Sequence, residues 1–159
     1  SLAAGTRLGP YEIVSAVGAG GMGEVFRARD TRLDRDVALK VLSSQLARTP
    51  AAGPVEQEAK TIAALNHPHI CTLHDIGEHE ECVFLVMEHL EGRTLADRLA
   101  SGPMPLAEAV VVATEVADAL AAAHRNGVVH RDLKPANISD RERLLLPRFG
   151  RKLGPRSTG

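Results

Sequence analysis

The chain has 159 residues, a formal net charge of −1, and 44% hydrophobic and 25% charged residues. This length suits one domain or two small lobes that share a cleft, and the composition is ordinary for a globular protein. The near-neutral charge gives no reason to expect nucleic acid or an anionic membrane as a partner. Apolar runs are too short to cross a bilayer and no signal peptide is recognisable, so we expect a cytoplasmic protein.

Three β-strands are predicted near the start of the chain, at Tyr11–Val17, Glu24–Ala28 and Asp36–Leu42. The first is rich in β-favouring residues, the second alternates polar and apolar side chains, and the third is mostly apolar. Glycines separate the first two strands, which predicts a hairpin with a long tip made mostly of backbone.

A helix is predicted over Val55–Leu65, because Ala59 and Ile62 fall on one face at 100° per residue. Glu58 lies beside this apolar face, whereas Glu56 points away from it. Both carboxylates should favour the positive N-terminal end of the helix.

Two further strands are predicted at Ile70–Ile76 and Cys82–Met87, joined by a polar turn. After Gly92 the pattern becomes helical. A long helix is predicted over Leu106–Asn126, with Gly127 in the left-handed position that follows many helices. This helix is apolar nearly all round, so we expect it to have neighbours on most faces.

The glycine cluster reads Gly18-Ala-Gly20-Gly-Met-Gly23-Glu-Val25, which has the form G-x-G-x-x-G-x-V. Glycines allow backbone N–H groups to approach a polyphosphate closely. A dinucleotide fingerprint would need a helix after the glycines, but a strand follows here. The motif therefore indicates a flap over nucleotide phosphates, and a hairpin tip without a ligand is the alternative.

Lys40 ends the apolar strand segment Val37-Ala-Leu-Lys40. A lysine beside a phosphate-binding flap can hold α and β phosphates as a point charge. Such a lysine needs a carboxylate to fix its position, and Glu58 is available on the inward side of the next helix. The alternative is a surface lysine at a strand edge.

The most specific motif is His130-Arg-Asp132-Leu-Lys134-Pro-Ala-Asn137. Together with the Gly-rich loop, the strand lysine and the helix glutamate, in this order, it resembles bacterial eukaryotic-like Ser/Thr protein kinases from Gly9 to about Ile138. The resemblance implies an α+β, protein-kinase-like fold. An antiparallel β N-lobe with one helix would occupy residues 1–88, and a partial helical C-lobe would occupy residues 89–138.

The resemblance also implies chemistry: ATP and Mg²⁺ are bound, and the γ-phosphate passes to Ser or Thr hydroxyls of a protein substrate. Asp132 matches the catalytic base, Asn137 matches a magnesium ligand, and Lys134 is typical of the Ser/Thr type of loop. Lys40 and Glu58 match the ion pair that positions ATP. His130 is expected to pack rather than to transfer protons.

The nucleotide site implied by the resemblance combines the Gly-rich loop, an adenine pocket, the ion pair and a hinge. Val25 and Ala38 would enclose the adenine, and Met87–Leu90 resembles the gatekeeper and the hinge. The full set is Gly18, Gly20, Gly23, Val25, Ala38, Lys40, Glu58, Met87, Glu88 and Leu90.

Histidines and cysteines crowd into one short stretch, which raises the alternative of a zinc site. They are His67, His69, Cys71, His74, His79 and Cys82. Their spacing fits no closed four-ligand zinc pattern, so we do not expect a metal centre. The two cysteines are interpreted as reduced, buried side chains.

The last twenty residues differ from the rest, with six basic and two acidic residues after Ser139. Arg148-Phe-Gly stands where the family expects Asp-Phe-Gly, and loss of that metal ligand would slow transfer by roughly 10²–10⁴. Our hypothesis is a frameshift near Ser139 that leaves a truncated kinase with an aberrant, disordered tail over 139–159; genuine divergence is the alternative. A non-catalytic pseudokinase and a fragment that never folds stably are the competing interpretations of the chain.

Overall fold

The computed structural model describes residues 2–20, 23–42, 52–80, 82–130 and 132–139. The described part contains six strands, three α-helices and one 3-10 helix. One α-helix stands between the fourth and fifth strands, and the other helices follow the sixth strand. The elements are β1 (Arg7–Leu8), β2 (Tyr11–Gly20), β3 (Gly23–Asp30), β4 (Arg35–Leu42), α1 (Ala52–Ala63), β5 (Leu73–His79), β6 (Cys82–Glu88), α2 (Leu95–Ala100), α3 (Leu106–Arg125) and the 3-10 helix (Pro135–Asn137).

The six strands form one sheet in the order β1-β2-β3-β4-β6-β5, and every neighbouring pair is antiparallel. Hairpins connect most neighbours, as the short polar or glycine-containing segments between the predicted strands indicated. β4 pairs with β6 rather than with β5, so the chain leaves the sheet after β4 and returns after α1.

The two faces of the sheet pack into different clusters because side chains alternate along each strand. On β4, Val37 and Leu39 belong to one cluster with Phe26 and Phe84. Ala38 faces the opposite way and packs against the second cluster.

The second cluster joins the sheet to the helices. It combines β4 and β6 residues with α1, α3 and the segment after α3, and its members include Leu42, Ala59, Ile62, Leu85, Met87, Val116, Ala119, Val128 and Ile138. This cluster therefore connects β4, the strand that carries Lys40, with the residues on either side of the loop that contains Asp132.

α1 confirms the predicted inward face, because Ala59 and Ile62 are each only 1% exposed. Glu58 is half-buried and Glu56 is exposed, as the helical periodicity predicted. The helix begins at Ala52, however, so neither glutamate lies in its first turn. The predicted role of Glu56 at the N-terminus was wrong; it pairs instead with Lys60 at 2.8 Å, one turn later.

α3 ends one residue before the predicted boundary, and Gly127 has the expected left-handed conformation with φ of +76°. Its inward face contains Val116, Ala119, Ala122 and Ala123. The opposite face is open among the described residues, where Leu106 is 80% and Val110 is 55% exposed. The expectation of neighbours on most faces is therefore not met within the described part of the chain.

β5 begins at Leu73 instead of Ile70, because the chain first makes a turn in which the N–H of Ile70 donates to the carbonyl of His67 at 3.2 Å. α2 is a short helix whose start is fixed by a capping box: Thr94 and Asp97 each bond the other's backbone N–H. The aberrant tail was predicted over 139–159. Only Ser139 of it lies within the described residues, where it is buried. No helix in the described part is long and apolar enough to span a membrane.

Candidate active site

The glycine-rich hairpin and Lys40 meet in one cross-strand row. Gly18 of β2 stands opposite Val25 of β3, Val25 stands opposite Lys40 of β4, and Lys40 stands opposite Leu85 of β6. Directly opposed residues of antiparallel strands lie on the same face. The register therefore brings Gly18, Val25 and Lys40 to one side of the sheet, although they are distant in sequence.

The glycines of the loop are needed for different structural reasons. Gly23 has φ of +131°, and a Cβ there would lie 1.9 Å from the carbonyl oxygen of Val41, so the fold itself requires glycine. At Gly18 a Cβ would meet no heavy atom of the described residues within 4 Å. Gly20 pairs with Gly23 at the end of the hairpin. The space beside Gly18 is thus open to a ligand.

Ala38 and Met87 form the next row, because Ala38 stands opposite Met87 on β6. Met87 is 8% exposed and belongs to the core cluster against which Ala38 packs. A small residue and a buried thioether side chain at this point give an apolar wall beside Val25, as an adenine pocket requires.

The segment after β6 is held by Thr72. The N–H of Glu88 donates to the carbonyl of Thr72 at 2.9 Å, and the N–H of Thr72 donates to Oε2 of Glu88 at 3.3 Å. Among the described residues, the backbone N–H of Leu90 has no backbone partner. Residue 90 therefore offers a main-chain donor at the edge of the apolar wall.

Thr72 was not identified from the sequence. Near its turn, the β5–β6 hairpin pairs His79 with Cys82 and Glu78 with Val83, and the same register would place Thr72 opposite His89. An irregularity between Leu73 and Asp75 shifts the pairing by one residue. Bulges of this kind leave little sequence signal, so only the structure shows the contact with Glu88.

Glu58 lies on α1, half-buried beside Ala59 and Ile62, and Lys40 is half-buried on β4. Both elements contribute to the same core cluster through Leu42, Ala59 and Ile62. The ion pair between Lys40 and Glu58 stays a prediction.

The loop after α3 is positioned by buried residues at both ends. Gly127 allows the chain to leave the helix, and Val128 is 4% exposed. His130 is 4% exposed, and its Nδ1 accepts the backbone N–H of Asp132 at 3.1 Å. The buried imidazole thereby fixes the backbone of the residue that we assign as the catalytic base.

Asp132, Lys134 and Asn137 come together as the motif predicted. Nδ2 of Asn137 donates to the backbone carbonyl of Asp132 at 2.8 Å and to its Oδ2 at 3.2 Å. Nζ of Lys134 lies 3.4 Å from the same Oδ2. Both of these bonds of Asn137 use Nδ2, so its amide oxygen takes part in neither.

The end of this loop is tied to α2. The N–H of Leu95 donates to the carbonyl of Ile138 at 2.8 Å, and Thr94 and Ser139 form an isolated bridge. Asn137 lies one residue before this anchor, within the 3-10 helix. Ile138, which is 6% exposed, packs in the core cluster and completes the attachment.

The histidine and cysteine stretch forms no group of three or more residues that could hold a metal ion, as far as the described residues extend. Cys71 is buried, as predicted, whereas Cys82 is only half-buried. The thiol of Cys82 lies 3.0 Å from the carbonyl of His79, and burial raises its pKa.

Known proteins share both this sequence pattern and this geometry. The family model for the protein kinase domain matches residues 11–146. The chain belongs to the protein kinase family. This kinase chain is 46% identical over 134 residues to the Ser/Thr protein kinase PknB of Mycobacterium leprae, covering 80% of the chain and 22% of PknB. It is 39% identical over 132 residues to the Ser/Thr protein kinase PrkC of Bacillus subtilis, covering 82% of the chain and 20% of PrkC.

The kinase fold is confirmed by solved structures. The crystal structure of the PknI kinase domain of Mycobacterium tuberculosis superposes with a TM-score of 0.81 at 33% identity. The match covers 94% of this kinase chain and 63% of the PknI kinase domain. The chain thus spans about a fifth of its curated relatives and less than two thirds of the solved domain. The relatives support a Ser/Thr kinase, hence a transferase by family, and not the pseudokinase alternative.

Proposed function

We propose that the protein to which this chain belongs transfers the γ-phosphate of ATP to Ser or Thr hydroxyls of a protein substrate. The observation that carries the proposal is the Asp132 carboxylate held between Nδ2 of Asn137 at 3.2 Å and Nζ of Lys134 at 3.4 Å. Curated relatives that are 39–46% identical are named Ser/Thr protein kinases, which supports the choice of acceptor.

Asp132 would accept the proton of the attacking hydroxyl. A general base must lie within hydrogen-bond reach of that proton and be held in one orientation. Asn137 and the backbone contact with His130 provide the orientation. Lys134, which is about half-exposed, would stabilise negative charge that develops on the transferred phosphoryl group.

The nucleotide would lie along the row of Gly18, Val25 and Lys40. Lys40 would attract the α and β phosphates, and Glu58 would hold the lysine in place. The open space at Gly18 leaves room for phosphate beside the strand. The remaining assignments are Gly20 and Gly23 in the flap, Ala38 and Met87 at the adenine, and Glu88 and Leu90 in the hinge.

Of the two magnesium ligands that the family uses, the chain keeps one. Mg²⁺ prefers oxygen ligands, which the Asn137 amide provides, and when bound it would neutralise charge on the phosphates. The second ligand of the family is an aspartate of Asp-Phe-Gly, and the sequence has Arg148 at that point. Arg148 lies outside the described residues, so Asn137 is the one magnesium ligand that we assign.

We also propose that residues 1–88 and 89–138 act as two lobes on either side of the nucleotide, in a cytoplasmic protein. The sheet and α1 precede residue 89, and α2, α3 and the loop with Asp132 follow it.

A second candidate function, nucleotide binding without transfer, is favoured by Arg148 alone.

The test is phosphorylation of a peptide library with Ser, Thr and Tyr acceptors by the full-length protein with radiolabelled ATP. Asp132→Asn should lower the rate about 10²–10⁴-fold, because the base is lost while the side-chain shape is kept. Asp34→Asn, a change of the same kind in the exposed turn between β3 and β4, should leave the rate within about twofold of the unmodified protein. Equal rates for the Asp132→Asn variant and the unmodified protein would contradict the proposal, as would label on tyrosine alone.

A further inference from the structure

Three hydrogen bonds fasten the end of β6 to the two residues that precede β5. The N–H of Glu88 donates to the carbonyl of Thr72 at 2.9 Å, and Oε2 of Glu88 accepts the N–H of Thr72 at 3.3 Å. The carbonyl of Glu88 accepts a third bond, from the thiol of Cys71, with Sγ at 3.6 Å. We call Cys71, Thr72 and Glu88 the hinge clamp.

The hinge clamp lies where the regular pairing of β6 ends. On the β5 side the last pair is Leu73 with Met87, one residue before Glu88. On the β4 side Glu88 itself is the last paired residue, opposite Val37. No strand of the described residues pairs with residues 89 and 90. The clamp therefore fixes the peptide at the point where the sheet stops and the hinge begins.

Cys71 is part of the same core as the apolar wall of Ala38 and Met87. It is 3% exposed, and it belongs to the cluster that contains Met87 and against which Ala38 packs. A buried cysteine behaves as a small apolar residue that also has a weak S–H donor. Cys71 thus contacts both parts of the proposed nucleotide site, the wall by packing and the hinge by its thiol.

The thiol suits a carbonyl that also has to bind a ligand. A carbonyl oxygen can accept two hydrogen bonds, and a thiol is a weak donor. A bond from Cys71 therefore fixes the direction of the Glu88 carbonyl at little cost to its ability to accept a stronger bond, such as one from the amino group of a nucleobase. A peptide that is already held in one orientation loses less freedom when a ligand binds, so affinity rises.

We propose that Cys71 and Thr72 are positioning residues for nucleotide binding, which hold the peptide of Glu88 in the orientation that the nucleobase needs. The inference rests on the proposed function, because it takes Glu88 and Leu90 as the hinge. The Glu88 side chain then serves the clamp, and its main chain serves the ligand. No part of the clamp takes part in the transfer of the phosphoryl group.

The first measurement compares two variants of Cys71 that have nearly the same side-chain volume. Serine keeps a donor at this position and alanine does not, so both variants lose similar packing but only Cys71→Ala loses the bond to Glu88. Calorimetric titration of the full chain with ATP and Mg²⁺ should give a Kd about three- to tenfold higher for Cys71→Ala than for Cys71→Ser. Equal Kd values for the two variants would overturn the proposal.

Cys82 provides the matched control. Its thiol donates to the carbonyl of His79 at 3.0 Å, a bond of the same kind in the turn between β5 and β6. Cys82→Ala and Cys82→Ser should bind ATP with Kd values within about twofold of the unmodified chain. If Cys82→Ala weakened binding as much as Cys71→Ala, the effect would not belong to the hinge, and the proposal would fail.

The division between KM and kcat separates a positioning role from a purely structural one. Loss of a group that only helps to bind the nucleotide raises the KM for ATP and leaves kcat unchanged. In the peptide phosphorylation assay of the full-length protein, Cys71→Ala should raise KM about three- to tenfold with kcat within about twofold, and Cys71→Ser should restore KM. A lower kcat with an unchanged KM would contradict the positioning role.

The clamp itself is tested without nucleotide, by amide hydrogen exchange in two variants of Glu88. Glu88→Gln keeps an oxygen that can accept the N–H of Thr72, and Glu88→Ala removes it. Exchange at Thr72 should be at least about fivefold faster in Glu88→Ala than in Glu88→Gln. Equal exchange would overturn the clamp. Failure of the unmodified chain to bind ATP, with the expected exchange difference still present, would instead count against the proposed function.

Discussion

Gly18 and Gly23 belong to one motif but are constrained by different parts of the molecule. Gly23 stands where a side chain would collide with the backbone of β4 and where φ is positive. At Gly18 no described residue would contact an added Cβ, and φ is not in the left-handed region. The small size of Gly18 therefore matters only if another molecule binds beside it. The sequence motif does not show which glycine is required by the fold and which leaves room for a ligand. Substitution of each glycine in turn distinguishes the two.

Gly23→Ala should reduce the free energy of unfolding by about 2–4 kcal/mol, because a Cβ 1.9 Å from the Val41 carbonyl oxygen forces the hairpin apart. Gly18→Ala is the matched variant and should change stability by no more than about 0.5 kcal/mol while weakening ATP binding about tenfold. Urea denaturation and ATP titration measure the two effects. An unaltered affinity in Gly18→Ala would remove Gly18 from the site.

Tyr11 gives a pH-dependent signal from a single residue. It is the only tyrosine, its ring is 3% exposed, and its hydroxyl donates to Asp75 at 2.7 Å. Burial, then the hydrogen bond to the Asp75 carboxylate, raises the pKa of Tyr11 to about 12. The folded state thus favours the neutral phenol, and this contribution to stability is lost as the pH rises from about 10 to above 12.

Ultraviolet absorbance of tyrosinate during an alkaline titration reports this group directly, since the chain has one Tyr and no Trp. We expect a midpoint well above that of the urea-unfolded chain. Tyr11→Phe should remove the part of the stability loss above pH 10 that belongs to the phenol. A midpoint equal to that of the unfolded chain would show that Tyr11 is accessible to solvent.

At the scale of elements, α3 shows how far periodicity reaches. Its start was predicted to the residue and its end to within one, because Pro105 and Gly127 mark the two ends of the apolar run. The inward face could not be chosen from the pattern, since valines occur all round the helix. Packing against the sheet and α1 selects Val116 and leaves Val111 outside.

This selection predicts different costs for the same truncation on one helix. Val116→Ala should destabilise the chain by about 1–3 kcal/mol, because Val116 is 8% exposed and packs in the core. Val111→Ala, at a position that is 49% exposed, should cost no more than about 0.5 kcal/mol. Chemical denaturation of the pair measures both, and equal costs would mean that the helix is oriented differently.

Short elements and long-range contacts could not be predicted from the sequence. β1 has two residues and α2 has six, and a segment this short shows no recognisable hydrophobic period. α1 begins three residues earlier than predicted, because Gly53 and Pro54 have the lowest helix propensities and hide its first turn. The contact of His67 with Asp118 joins residues 51 positions apart, which no local pattern reveals.

The candidate site was recovered largely from motif order. Val25 and Lys40 of the row lie in predicted strands, but Gly18 was expected in a long hairpin tip. That expectation was wrong, because β2 runs on to Gly20 and Gly18 pairs with Val25 within the sheet. Asp132, Lys134 and Asn137 lie close together because only five positions separate the first from the last. The contact between Thr72 and Glu88 depends on an irregular strand pairing, which explains why Thr72 was missed.

At the scale of the whole molecule, one apolar core joins the strands that carry Lys40 to the segment that carries Asp132. The two halves of the candidate site are therefore parts of a single folded unit within the described residues. The competing interpretation, a fragment that never folds stably, predicts that no such unit forms in solution. A cooperative thermal transition with retained helix and sheet signals would exclude that interpretation.

The central claim is that the face of the sheet containing Gly18, Val25 and Lys40 binds ATP. The most direct measurement is an NMR titration of the isotope-labelled chain with ATP, with and without Mg²⁺, using Lys40→Met as the variant that lacks the point charge. Saturable amide shifts are expected at the row and the hinge, namely at Gly18, Val25, Lys40, Glu88 and Leu90. The Asn137 side chain should respond only when Mg²⁺ is present, and Lys40→Met should weaken binding at least tenfold. Shifts confined to other surfaces, or equal affinity of the variant and the unmodified chain, would contradict the claim.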